Sequence, residues 1–419
     1  MNKITLNLLM LASTLTLNAQ QSIQDSLEMG VGYANEVYYK LEDGQKQATP
    51  ANNWHIGFTT DAYSSTIISN AGLPSPGMGV AGMSIYKYPN GTNTAFETVD
   101  TTGMTAWTKI YDDSISFELG AFNQGATGHP DYGWGSYNMA NHQIVGNSVF
   151  VLKTPENTYK IDFIRKATGT ITFRYAKVGE ATGTEISIPL STTYAAKDFV
   201  FFNLVTGEVV DKELEDWDLW AVKYIDFYNG NIPNQAVTGI LTNPKWTIAK
   251  VNVGSQTQPT HQEFGTATYS SNKNAIGQNY KELVNMVWQV TEEDVYYLKN
   301  EAGDVWKWYP TKFVGTGAGK TVFMKQKMAT VGIESIEIQF IDIYPNPASN
   351  DMTIVFDSKG SSVDFTIRNQ MGQVVFRENA TTNTGITQQK LDISTLTQGM
   401  YFVEVNQNGN AMIQSIIKK

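Results

Sequence analysis

Short alternations of apolar and polar residues dominate this chain. FVLKTPENTYKIDF (150–163) runs as an alternating strand, a polar turn and a returning strand with an aromatic–lysine pair. YYLKNEAGDVWKWYP (296–310) repeats that pattern with one extra residue in the turn. The two continue as GTITFRYAKV and GKTVFMKQKM, so each predicts one more strand.

A second correspondence is stricter. YYKLEDGQKQATPANNWHIG (38–57) superposes without a gap on FFNLVTGEVVDKELEDWDLW (201–220), at an offset of 163 residues. An aromatic pair, Leu-x-x-Gly and a tryptophan ten residues on predict a hairpin whose second arm buries a large side chain. Shared order and spacing point to an internal duplication, with repeat 1 over 30–182 and repeat 2 over 183–330. The pattern leaves open whether these are two domains or halves of one body. Gly- and Pro-rich stretches at 70–82, 120–136 and 254–265 interrupt the ladders and are the loops expected to carry a site.

The last eighty residues form a third unit. MTIVF, SVDFTIRN, QVVFREN, QKLDIS, MYFVEVNQ and AMIQSIIK are strand-length pieces, introduced by the turn YPNPASN. Their alternating faces predict two sheets packed face to face, a small Ig-like β-sandwich. At the other end, a lysine and the apolar run Leu6–Leu17 ahead of Asn18-Ala19 read as a signal peptide over 1–19.

Composition narrows the classes. The chain has 419 residues, enough for two or three domains, and no cysteine, so disulfides and thiol chemistry are excluded. A formal charge of −10 argues against nucleic acid as a partner. No run after the signal peptide is apolar enough for a transmembrane segment. Enzyme signatures are missing: there is no GxSxG elbow, no HExxH, and GTGAGK (315–320) lacks phosphate-loop spacing. The expectation is a non-enzymatic protein.

Tyr344-Pro345-Asn346-Pro347-Ala348, Asn369-Gln370-Met371-Gly372-Gln373, Leu391-Asp392-Ile393-Ser394, Gly399-Met400-Tyr401-Phe402-Val403 and the closing Lys418-Lys419 resemble the type A C-terminal sorting domain of the type IX secretion system of Bacteroidota, over 340–419. That resemblance implies delivery to the cell surface or the medium through the outer membrane, with the type IX machinery as partner. Tyr39-x-Leu41-x-x-Gly44 with Trp54-His55-Ile56, and Phe202-x-Leu204-x-x-Gly207 with Trp217-Asp218-Leu219, resemble the HmuY family of haem-binding proteins over about 33–328. This second resemblance implies a mostly β fold of two HmuY-like repeats, with a cleft between finger-like extensions. It also implies haem as cofactor, captured without catalysis and passed to an outer-membrane haem receptor, for iron acquisition. The chain departs from the family in carrying two copies and no lipid-attachment cysteine.

Haem iron in a carrier wants axial nitrogen or sulfur ligands. HPDYGWGSYNMANH offers His129, Met139 and His142 as ligands, with Tyr132, Trp134 and Tyr137 to stack on a porphyrin or, equally, to anchor the loop. His55 reads as scaffold and His261 as a lone loop residue. The alternative is a non-enzymatic adhesion or binding module for a peptide, glycan or protein partner on the same β frame.

Overall fold

The computed structural model describes residues 22–73, 82–228, 232–254, 256, 263–328, 340–370, 372–407 and 410–419. The signal peptide expected over 1–19, His261 and most of the 254–265 loop lie outside the described residues. The described residues are overwhelmingly β and divide into two compact units, broken between Thr330 and Val331.

In the first unit both aromatic-pair segments are hairpins. Asn35–Tyr39 turns back as Lys46–Pro50, and Phe199–Asn203 turns back as Glu208–Val210. Gly44 (φ 74°) and Gly207 (φ 71°) take the left-handed conformation in the two turns, where a side chain would be strained. The tryptophans are placed differently from the expectation. Trp54 and Trp217 lie beyond the second arm, just before the strands Ile56–Thr59 and Leu219–Tyr228. The second arms are partly exposed (Lys46–Pro50 alternates exposed and half-buried), so the burial falls to the link that follows them.

Those following strands cross the repeat boundary. Asn35–Tyr39 pairs with Leu219–Tyr228, matching Tyr39 with Leu219. Phe199–Asn203 pairs with Ile56–Thr59, matching Phe202 with Ile56. The two pairings are related by the same 163-residue offset as the sequences. Equivalent backbone bonds close them: Asp218 N–H donates to Tyr39 O at 2.8 Å, and His55 N–H to Phe202 O at 2.9 Å. The side chains at these positions do one job with different chemistry. Asp218 Oδ2 accepts from Leu41 N–H at 2.6 Å, while His55 Nδ1 accepts from Leu204 N–H at 3.2 Å.

The three-strand segments also correspond. Val149–Lys153, Thr158–Ala167 and Thr170–Lys177 pair in sequence, as do Asp294–Asn300, Val305–Val314 and Lys320–Met328. Each middle strand carries a β-bulge, between Phe163 and Arg165 in one and Pro310 and Lys312 in the other. The bulges match once the extra turn residue is counted. The outer partners cross over too: Ile23–Glu28 pairs with Lys320–Met328, and Thr184–Pro189 with Thr170–Lys177.

The result is two lobes whose cores mix the repeats. One core joins Ile56, Phe150, Phe163 and Phe173 to Val200 and Phe202. The other joins Leu27, Tyr39 and Leu41 to Leu219, Trp308 and Phe323. The boundary at 182/183 is therefore a boundary in sequence and not between the cores. An aromatic seam lies between them. Tyr38 stacks on Trp220 at 5.1 Å, and Trp54 meets Phe201 edge-on at 4.7 Å. The ammonium of Lys212, buried and paired with Glu36, sits 4.2 Å from the Phe201 ring and 4.4 Å from that of Trp54.

The second unit is one hydrogen-bonded sheet of five strands rather than two separate sheets. MTIVF and SVDFTIRN are fused into a single strand, Asp351–Asn369, and QVVFREN and QKLDIS into another, Val374–Asp392. Their full-length pairing joins pieces expected as separate strands. Ile354, Phe356, Val363, Phe365 and Val403 share its core.

Burial of His55 (3 % exposed) has a measurable consequence. Desolvation lowers its pKa from 6.5 to about 4. The unfolded chain therefore holds a proton between pH 4 and 6.5 that the folded chain refuses. The stability this imidazole contributes is complete above pH 6.5 and lost as pH falls towards 4, by about 3 kcal/mol. His55→Asn keeps an acceptor for Leu204 and cannot titrate. Urea unfolding of both proteins at pH 7 and pH 4 should show their stability difference changing by that amount in favour of the variant at pH 4. A pH-independent difference would show that His55 is not held neutral.

Candidate functional site

The 120–146 region of the first lobe gathers several of the predicted residues. Gly135–Asn138 and Gln143–Gly146 form a hairpin, and His142 ends its turn at φ 55° with its N–H on Asn138 O. Asp131 fixes the preceding loop by accepting from Gly133 N–H, Thr127 N–H and the Thr127 hydroxyl. The hydrogen bond from Gly133 leads in holding that carboxyl below its ordinary range. Tyr137 N–H donates to Pro130 O at 2.7 Å and Tyr132 N–H to Gly135 O at 2.9 Å, which ties loop to hairpin.

These backbone contacts bring two histidines and two tyrosines onto one exposed patch. His142 Nδ1 lies 2.8 Å from the Tyr137 hydroxyl, and His129 Nδ1 lies 3.2 Å from the Tyr132 hydroxyl. The His129 and Tyr137 rings are 5.2 Å apart. Each histidine thus has one ring nitrogen held by a phenol and Nε2 without a hydrogen bond among the described residues. That is the arrangement in which a neutral imidazole acts as a metal ligand while its other nitrogen is oriented from behind.

Trp134 takes the anchoring alternative. Its ring is fully buried against Phe163 and its Nε1–H donates to Ser65 O at 2.9 Å, so it presents no face at the surface. Met139 stands 74 % exposed at the hairpin tip. Among the described residues no group of three or more His, Cys, Asp or Glu side chains is placed to hold a metal ion.

Asp218, the counterpart of His55, is buried and accepts from Leu41 N–H and from Trp246 Nε1–H. GTGAGK forms one helical turn, Gly315–Ala318, between two antiparallel strands.

A cleft of about 740 Å³ in the second lobe was not foreseen. Lys281–Val284 and Val287–Val290 make a separate two-stranded sheet, turned at Asn285 and Met286, both with positive φ. Leu283, Met286 and Val287 are exposed on it, and Trp288 packs edge-on against Phe313 at 5.1 Å beside the cleft. The alternation in KELVNMVWQV was the available signal.

In the second unit the two ends of the signature meet. Ala348 N–H donates to Ile417 O and Lys419 N–H to Ala348 O, both at 2.8 Å, while Ile417 N–H donates to Asn346 Oδ1 at 2.9 Å. The YPNPA turn and the closing lysines are therefore one surface. Residues 342–419 match the family described as Secretion system C-terminal sorting domain. No curated protein matches the chain. The sorting domain is that of type IX secretion and implies an exported β-protein, secreted or exposed at the cell surface. Among the described residues no helix is long and apolar enough to cross a membrane.

Removing Ile417, Lys418 and Lys419 takes away the strand end that Asn346 and Ala348 hold. Cell fractionation should then find the protein retained inside the outer membrane. Undiminished delivery would show that this paired surface is not what the machinery reads.

Proposed function

We propose that this exported protein captures haem without catalysing a reaction, with His129 and His142 as the ligand-bearing residues. The reading is supported by one observation above others: the Tyr137 hydroxyl sits on His142 Nδ1 while its ring lies against that of His129. The donor set fits haem iron, which accepts neutral imidazole nitrogens. His129 and His142 would hold the group, with Tyr132 and Tyr137 beside it, and the iron would supply the affinity for nitrogen. Trp134 is left out because its ring is buried in the core. The HmuY resemblance supports the same ligand class, and the export implied by the sorting domain is in keeping with capture outside the cell. A receptor in the outer membrane would take the haem onward.

The second reading is a surface module for a peptide, glycan or protein partner. The exposed Leu283, Met286 and Val287, next to a cleft that carries Trp288, favour it.

Titration of the full chain with haemin, followed by absorbance, separates the two. A saturable one-to-one Soret shift is expected, weakened at least tenfold in His129→Ala and in His142→Ala, and less in Tyr137→Phe. No shift, or a shift indifferent to both histidine variants, would overturn the haem reading and leave the module.

A further inference from the structure

The aromatic seam contains a partly closed cavity of about 40 Å³, bordered by Trp54, Trp220, Asp112, Lys223 and Lys273. Its polar groups are unequally matched. The indole N–H groups of Trp54 and Trp220, both buried, find no hydrogen-bond partner among the described residues. Among the described residues Lys223 makes no ion pair or side-chain hydrogen bond, and burial lowers its pKa. Lys273 donates to Ser116 O at 2.8 Å, which leaves further ammonium protons.

The buried carboxylate beside them, Asp112, is committed. Asp112 Oδ1 takes Ala121 N–H at 2.7 Å, and Oδ2 takes the Ser69 hydroxyl at 2.8 Å, with Ser69 N–H shared between the two oxygens. Asp113 Oδ1 takes Ile115 N–H at 2.7 Å. A buried donor left without an acceptor is costly, so donors in this number call for a guest that accepts. Water would fill the space, since about three molecules fit. Each would bring two protons of its own to a place where the Asp112 carboxylate is already occupied.

We propose that this cavity is a binding site for a small inorganic anion of halide size, held by the Trp54 and Trp220 indole N–H groups and the Lys223 and Lys273 ammonium groups. The anion joins the two lobes, because Trp54 lies before the first crossing strand and Trp220 on the second. It is independent of what binds at His129 and His142.

Bromide is the probe, since its anomalous scattering distinguishes it from water. Crystals of the full chain grown in bromide should show a peak in the cavity within hydrogen-bond distance of an indole nitrogen. In solution, replacing gluconate by bromide at constant ionic strength should raise Tm by about 2 °C. Trp220→Phe removes one donor and should lose at least half of that rise. A cavity that holds only waters, or an equal rise in wild type and Trp220→Phe, would overturn the site. Should Trp220→Phe fail to fold, the bromide map of the native chain decides alone.

Discussion

The hydrogen bonds from Asp218 N–H to Tyr39 O and from His55 N–H to Phe202 O hold the first unit in its present arrangement. Each joins a strand of one repeat to a hairpin of the other, and each is reinforced by the side chain at its own donor residue. Because the exchange is reciprocal, neither lobe's core is complete within one repeat. Leu27, Tyr39 and Leu41 pack with Trp308 and Phe323, almost the whole length of the unit away in sequence. Such contacts carry a large closure entropy, offset here by deep burial of large aromatic side chains on both sides of the seam.

Equivalent positions 163 residues apart carry different chemistry. His55 and Asp218 both accept a backbone N–H, yet one is a desolvated neutral imidazole and the other a carboxylate that also holds Trp246 and Lys245. Gly57 stands where the other repeat has Trp220. A Cβ at Gly57 would come within 2.9 Å of the Phe201 ring, so this small residue makes room for the partner repeat's aromatic pair. The histidine–tyrosine patch belongs to the first lobe and the Trp288 cleft to the second. The two lobes have thus kept one frame and placed different chemistry on it.

Local features were legible in the sequence where they depend on short-range rules. The hairpins of both aromatic-pair segments and the repeated three-strand order follow from turn residues and alternation over a few positions. The strand exchange was not legible, since an aromatic pair that suits one neighbouring strand suits its duplicate equally well. Trp134 could not be assigned between anchor and platform because an aromatic in a Gly-rich loop serves either, and only the Ser65 carbonyl decides it. The fused strands of the second unit were hidden for a related reason. Gly360 and Gly385 look like breaks, but both occupy positive φ within strands that continue to pair.

The exchanged architecture is tested most directly by cross-linking in a chain that contains no native cysteine. Ser26 and Val322 are directly opposed, half-buried partners at the outer crossing. Directly opposed residues of antiparallel strands approach the spacing a disulfide needs. Ser26→Cys with Val322→Cys, oxidised and digested, should yield a peptide pair linked within one monomer. No linkage, or linkage only between two chains, would contradict the pairing of the first strand with the end of the second repeat.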